Sequence, residues 1–178
     1  MPSSPIKSRV SNRGTPPDTF LTELIAWGRQ APNKLFEKNN NYDIYDSVTM
    51  ALGPYESIMH RKAVMLEVMR VLAGFESSWN WNEGRDVTNP ASNKPQTTEA
   101  GAWQVSADSR SFSAALKAMA PADGTEFQRL MKSNHDLAMT YVATLLRHTT
   151  RHHGPVRDHK IDAWLRRDAV REFEELLS

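Results

Sequence analysis

The chain has 178 residues, a length typical of one domain, with 39% apolar and 24% charged side chains. Its 22 Lys and Arg are balanced by 21 Asp and Glu, for a formal net charge of +1. This balance excludes a general attraction to nucleic acid, which needs clustered excess positive charge. The absence of cysteine excludes disulfide scaffolds, thiolate nucleophiles and cysteine-based metal sites. No run approaches the roughly 18 consecutive apolar residues of a membrane-spanning helix.

The N-terminal region, residues 1–17, is rich in proline and serine and offers little apolar surface to bury. It is predicted to be a flexible tail. It has no apolar run of the kind found in a secretory signal peptide, so no Sec signal is visible. Residues 18–178 are predicted to form a single domain.

Apolar residues recur at helical spacing from Asp18 onward. A first helix is predicted to run from Asp18 until Pro32 ends it, and a short segment spans 44–52. A longer helix is predicted from about Glu56 to Glu76. Its inner stripe consists of Met65, Val68, Leu72 and Phe75.

The second half of the chain starts with a polar stretch, residues 80–98, which is long for a connection inside a domain. Residues 102–105 are predicted to form a short strand or hairpin arm. Further helices are predicted over 112–119, 127–131 and 136–149, and a last one begins at Asp168 as its N-cap. The predicted fold is therefore α+β, mostly α, with a small β element in the middle.

One candidate for acid catalysis is Glu76, which ends the long helix between Phe75 and Trp79. Apolar surroundings and the negative end of the helix dipole both raise the pKa of a carboxyl group. A carboxyl group that stays neutral near the working pH can act as a general acid. The alternative is a solvated residue at a fraying helix end.

A second candidate lies at Glu99, which precedes the sequence Ala-Gly-Ala-Trp-Gln-Val. Gly101 allows a backbone or a ligand to approach closely. The amide of Gln104 both donates and accepts hydrogen bonds, which suits hydroxyl-rich or N-acetylated ligands. The segment is therefore a candidate binding element.

Together these two elements resemble the lysozyme superfamily, which includes soluble lytic transglycosylases and goose-type lysozymes. The run Glu76-Ser77-Ser78-Trp79 is similar to the family's Glu-Ser helix end, and Thr98–Val105 to its Gly-Leu-Met-Gln segment. The run Tyr141–Pro155 resembles the next helix and its corner, so the resemblance covers roughly residues 58–165. Two departures stand out: Arg151 replaces a tyrosine, and Glu99 replaces an alanine that transglycosylases usually carry.

The resemblance implies a lysozyme-like fold with a β-hairpin next to the catalytic helix. It implies Glu76 as the catalytic acid and makes Glu99 the candidate nucleophile, base or oxocarbenium stabiliser, with Glu83 and Asp86 as competitors. The expected substrate-binding residues are Ser77, Trp79, Trp103, Gln104 and Tyr141, and Trp81 is a further candidate for stacking on sugars.

The expected function is a peptidoglycan-cleaving glycoside hydrolase, a muramidase acting on β-1,4 bonds. The alternatives are a lytic transglycosylase that forms anhydro-sugars, a chitinase or chitosanase, and a non-catalytic wall-binding domain. No cofactor or metal is expected. His148, His152 and His153 lie near one helix end, where cationic histidines that complement the helix dipole are expected rather than metal ligands. Expected partners are the wall polymer and an inhibitor or immunity protein, but neither nucleic acid nor a membrane span.

The substrate locates the action at the bacterial cell wall, although the chain is made in the cytoplasm without a visible signal. Delivery by phage lysis or a secretion system, or a trimmed sequence, would account for this. Because the net charge is near zero, attraction to an anionic wall must come from a local patch. The basic residues between 143 and 160 are the candidate patch.

Overall fold

A computed structural model of the protein describes residues 4–85, 88 and 90–178, with the backbone only at 91 and 92. It is 61% helical with almost no strand, which confirms the mostly α prediction. The α-helices in the described residues are α1 (Asp18–Gln30), α2 (Ile44–Ser47), α3 (Thr49–Leu52), α4 (Ile58–Ser77), α5 (Ala114–Met119), α6 (Gly124–Ser133), α7 (His135–His148), α8 (Gly154–Arg157) and α9 (Arg167–Leu177). Short 3-10 turns cover Pro5–Lys7, Asn33–Phe36, Pro90–Asn93, Ala107–Phe112 and Asp162–Trp164.

The central element is α4, which is buried on all its sides rather than on the single predicted stripe. The helix begins where the Ser57 hydroxyl accepts a hydrogen bond from the His60 backbone N–H, at 3.0 Å. It ends at Ser78, whose φ of 55° is left-handed. Apolar residues on every face allow other helices to pack around it.

Several other helices pack around α4. Helices α1 and α9 pack directly against it, and α7 packs against α1, α5 and α6. The apolar core is continuous from Ile6 to Leu177. Within it, Arg70 donates two hydrogen bonds to Glu67, at 2.7 and 2.8 Å, and both side chains are fully buried. Glu67 also accepts the backbone N–H of Arg166 at 2.9 Å, which ties the start of α9 to α4.

The described part of the N-terminal region, residues 4–17, is packed onto the core, so the predicted flexible tail is wrong there. We call this segment the N-terminal arm. Ile6 and Val10 are buried, and Glu172 accepts hydrogen bonds from the Ser4 hydroxyl and the Ile6 backbone N–H. These buried apolar side chains, although few, are enough to fix the arm.

The predicted β-hairpin is not found in the described residues. Ala100 and Val105 form a single antiparallel bridge with backbone hydrogen bonds of 2.9 and 3.2 Å. Between them, Gly101 and Gln104 both have positive φ, at 78° and 47°, so the chain reverses at once. A strand needs several extended residues, and this sequence provides a tight turn instead. We call residues 100–105 the bridge turn.

One further difference concerns the start of the last helix. Helix α9 begins at Arg167, so Asp168 lies in its first turn and pairs with Arg166 rather than capping the helix. No helix in the described part of the chain combines the length and the apolar character needed to cross a membrane.

Candidate active site

A cavity of about 480 Å³ opens where α4 ends, between the N-terminal arm, the loop after α4 and the bridge turn. Three carboxyl groups line it, together with two guanidinium groups. The acids are Glu76, Glu83 and Glu99, the cations are Arg13 and Arg85, and the remaining lining residues are Phe75, Gly84 and Gln104. The two predicted catalytic acids and the predicted binding residue Gln104 therefore meet at one cavity.

Glu76 is the penultimate residue of α4, and its side chain is only 20% exposed. Burial raises the pKa of Glu76 to about 7, and His152 and Arg13 act in the opposite direction. The negative end of the helix dipole favours the same neutral form as burial does. A large fraction of Glu76 is therefore protonated at neutral pH, as a general acid must be.

Two consecutive histidines border Glu76. The Nδ1 atom of His153 lies 3.3 Å from Oε1 of Glu76. Burial lowers the pKa of His152 to about 3 and that of His153 to about 4, so both rings are neutral at pH 7. Arg13 is then the permanent positive charge that acts on Glu76. The prediction of cationic histidines at this helix end is therefore wrong for His152 and His153.

Ser77 holds the bridge turn against the end of α4, and Gln104 closes the turn itself. The Ser77 hydroxyl donates to the Ala102 carbonyl oxygen at 2.7 Å and accepts the Asn80 backbone N–H at 3.0 Å. The Gln104 side-chain amide donates to the Gly101 carbonyl oxygen at 2.9 Å. Ser77 is buried and does not line the cavity, so it positions the site instead of contacting substrate as predicted.

The loop after α4 brings Glu83 to the same place. Its backbone carbonyl accepts the Gly101 N–H at 2.9 Å, and its side chain accepts a hydrogen bond from the Asn80 amide at 3.0 Å. Asp86, the other competitor for the second carboxylate, lies outside the described residues. Glu83 and Glu99 thus both lie at the cavity with Glu76.

The three aromatic residues predicted to bind substrate belong to the core, which corrects that prediction. The indole N–H groups of Trp79 and Trp103 donate to the backbone carbonyls of Arg70 and Met69, both at 2.8 Å. The Tyr141 hydroxyl shares a 2.7 Å hydrogen bond with Ser109. All three rings are at most 4% exposed and none lines the cavity. Large aromatics are buried when a backbone or hydroxyl partner satisfies their polar atom.

Trp81 also packs inward, although it is only partly buried. Its ring stacks on His135 with a centroid distance of 3.8 Å, and it contacts Phe20 and Trp103. The cavity lining therefore contains Phe75 but no tryptophan.

Two residues at the site were not expected from the sequence: Arg13, which lines the cavity, and His153, which contacts Glu76. Arg13 lies in the segment predicted to be a tail, and no local pattern connects it with Glu76. His153 lies in the corner that carries the family resemblance, and the structure places it, rather than Arg151, beside Glu76. In the described part of the chain, no three His, Asp or Glu side chains are grouped so that they could hold a metal ion.

The arrangement is suited to transferring a proton to a bound substrate. The Glu76 carboxyl group, about half of which is protonated at pH 7, faces a polar cavity whose other acids can act as base or nucleophile. Arg13 favours the carboxylate that remains on Glu76 after the proton has left. Comparison of the chain with protein-family models, with curated proteins and with solved structures finds no significant match.

Proposed function

We propose that the protein is a lysozyme-like glycosidase that cleaves the β-1,4 bonds of peptidoglycan at the cell wall. The observation that carries the proposal is the buried Glu76, with its pKa of about 7, at a cavity that also holds Glu83 and Glu99. A proton donor and a second carboxylate are the two groups that most glycosidases use. The resemblance of the two sequence elements to the lysozyme superfamily supports the choice of substrate and of fold.

In the proposed reaction, Glu76 donates its proton to the glycosidic oxygen while the bond to the anomeric carbon breaks. Positive charge then develops on the sugar ring. Glu99 or Glu83 stabilises that charge, attacks the anomeric carbon or takes a proton from the attacking water. Gln104, which lines the cavity, supplies polar contacts to the sugar. Arg13 stabilises the Glu76 carboxylate until it is protonated again.

The test is cleavage of purified peptidoglycan by the full chain and by its Glu76→Gln variant. We expect the variant to lose roughly 10²–10⁴-fold in rate, the usual contribution of general acid catalysis. Glu126→Gln is the control, because Glu126 is an exposed glutamate on α6, away from the cavity. Cleavage by Glu76→Gln at the wild-type rate would contradict the proposal.

Mass spectrometry of the products distinguishes hydrolysis from the transglycosylase reaction. Hydrolysis adds one water for each bond cut, whereas an internal attack by a sugar hydroxyl forms an anhydro-sugar without water. Glu83→Gln and Glu99→Gln then identify the second carboxylate, since a hydrolase that needs one of them loses activity only with that variant. If neither variant loses activity and the products are anhydro-sugars, the chemistry is assigned to Glu76 alone.

A further inference from the structure

A second cavity, of about 330 Å³, is lined by Tyr42, Phe112 and the segment 148–151. It shares no lining residue with the catalytic cavity. Its two aromatic side chains are 69% and 43% exposed. A single exposed apolar side chain is ordinary, but two exposed rings at one concave site are typical of a ligand-binding surface.

The charge of this second cavity is positive. His148 and Arg151 line it, and no acidic residue does. The Thr149 hydroxyl accepts the Arg151 backbone N–H at 3.1 Å, which fixes the backbone there. The Arg151 guanidinium has no hydrogen-bond or ion-pair partner among the described residues. An anionic group is therefore the complementary ligand.

Part of the predicted basic patch of residues 143–160 is neutralised in the structure. Arg147 is buried and pairs with Asp43 at 2.7 Å, and Arg157 pairs with Asp158 at 2.8 Å. Since His152 and His153 are neutral and the exposed Lys160 does not line this cavity, Arg151 is the residue at the cavity whose positive charge can attract an anion.

The second cavity lies next to the catalytic one along the chain. Arg151 lines it, and His153, two residues later, contacts Glu76 at 3.3 Å. Two residues span at most roughly 7 Å of backbone. Phe112 also meets the ring of His152 edge-on, with a centroid distance of 6.5 Å. The two cavities are therefore close to each other in the fold.

We propose that the second cavity binds another unit of the polysaccharide that Glu76 cleaves, specifically an acidic amino sugar. Tyr42 and Phe112 pack against the C–H faces of the sugar ring, and Arg151 pairs with its carboxylate. The inference rests on the proposed function for the identity of the polymer. Binding at this cavity does not itself require cleavage, so the two proposals can fail separately.

The experiment measures binding by the full chain carrying Glu76→Gln, so that no cleavage interferes. The probes are soluble glycan fragments of peptidoglycan from which the stem peptides have been removed, so that the carboxylate of muramic acid is free, and chitohexaose, which is neutral. Tyr42→Ala and Phe112→Ala are each expected to weaken binding of both probes by roughly 3–10-fold. Met50→Ala is the matched control, since Met50 is 91% exposed but lies outside both cavities, and it should change nothing.

The charged contact has its own variant. Arg151→Ala is expected to weaken binding of the acidic fragments by roughly 5–10-fold, to remove most of the salt dependence of that binding, and to leave chitohexaose unaffected. Equal effects on both probes would overturn the assignment of a carboxylate to Arg151. Phe112→Tyr, which keeps the flat ring, should restore binding if the ring and not the local packing matters.

The subsite is overturned if Tyr42→Ala and Phe112→Ala bind both probes as tightly as Met50→Ala. Competition at Arg151 by a phosphate-rich wall polymer, with no effect of Phe112→Ala, would also overturn it. Full cleavage by Glu76→Gln would instead contradict the proposed function and leave the binding result to be judged by itself.

Discussion

His153 Nδ1 lies 3.3 Å from Glu76 Oε1, and the imidazole is only 1% exposed. The pKa of His153, lowered by burial to about 4, is below that of Glu76, which burial raises to about 7. The proton of the pair therefore stays on Glu76. The contact is a neutral ring beside a carboxyl group, and the Nε2 atom of His153 has no hydrogen-bond partner among the described residues. A charged histidine here would ionise Glu76 and remove its acid function.

The rate of cleavage should fall at alkaline pH because Glu76 must be protonated. With its pKa at about 7, we expect kcat/KM to decrease about tenfold for each pH unit above that value. The measurement is the initial rate of peptidoglycan cleavage from about pH 5 to pH 9. Circular dichroism at each pH shows that the chain stays folded. A rate that is constant from pH 6 to pH 9 would contradict the assignment.

The stability of the protein should depend on the protonation of Glu76. The pKa is 4.5 in the unfolded chain and about 7 when folded, so the folded state holds the proton more tightly. The resulting stabilisation is complete below pH 4.5 and is lost as the pH rises through 7, about 3 kcal/mol in all. Glu76→Gln stays neutral and should not show this loss. The free energy of unfolding of the wild type and of Glu76→Gln is measured in urea at about pH 4.5 and pH 8.5. The same pH dependence in both proteins would refute the prediction.

Arg13 should tune the acid from the N-terminal arm. It lines the cavity, and its charge lowers the pKa of Glu76. In Arg13→Ala the alkaline limb of the rate profile is therefore expected to move to higher pH. Arg9→Ala is the control on the same arm, since the Arg9 side chain donates to the Ser11 carbonyl oxygen at 2.9 Å, does not line the cavity and should leave the profile unchanged. A lower kcat with an unshifted profile would indicate a role in substrate binding instead.

Gly101 should be intolerant of a side chain for a reason beyond its backbone angle. Gly101 and Gly14 both have positive φ, at 78° and 90°. A Cβ at Gly101 would lie 2.8 Å from the Met131 carbonyl oxygen, whereas nothing lies within 4 Å of one at Gly14. Gly14→Ala should therefore cost about 1 kcal/mol, and Gly101→Ala about 1–3 kcal/mol more. Denaturant unfolding measures both, and equal losses would show that the contact with Met131 relaxes.

The buried ion pair on α4 should be far more sensitive than an exposed pair of the same spacing. Glu67 and Arg70 are fully buried, and Glu67→Gln leaves Arg70 without its counter-charge. We expect a loss of about 3–5 kcal/mol in the free energy of unfolding. Glu126→Gln breaks the exposed pair with Arg129, also at i and i+3, and should have no measurable effect. Similar losses in both variants would contradict this account.

Helical periodicity predicted most of the fold. The long helix expected over 56–76 is observed as Ile58–Ser77, and the one expected over 136–149 as His135–His148. These helices have apolar residues at regular spacing, and local spacing is what a single sequence displays. The bridge turn was misjudged because Trp103 and Val105 favour strands, whereas the positive φ of Gln104 depends on tertiary contacts.

The candidate site was predicted in part. Glu76, Glu99 and Gln104 are carried by two short sequence elements, and all three line the cavity. Arg13 could not be found in this way because its position depends on the folding of the arm over α4. For the aromatic residues the error is the opposite one, because they were predicted to contact substrate but lie in the core. Whether an indole faces a ligand or the core depends on its partner, and Met69 and Arg70 provide backbone carbonyls that no sequence pattern reveals.

The enclosure of α4 has a consequence for how the protein loses activity. Backbone amides of a helix buried on all sides exchange with solvent only when the whole domain opens, whereas loops exchange through local fluctuations. Glu76 is carried by this helix, so partial opening elsewhere leaves the acid in place. Heating should therefore displace Glu76 only at the temperature at which the protection of the α4 amides is lost.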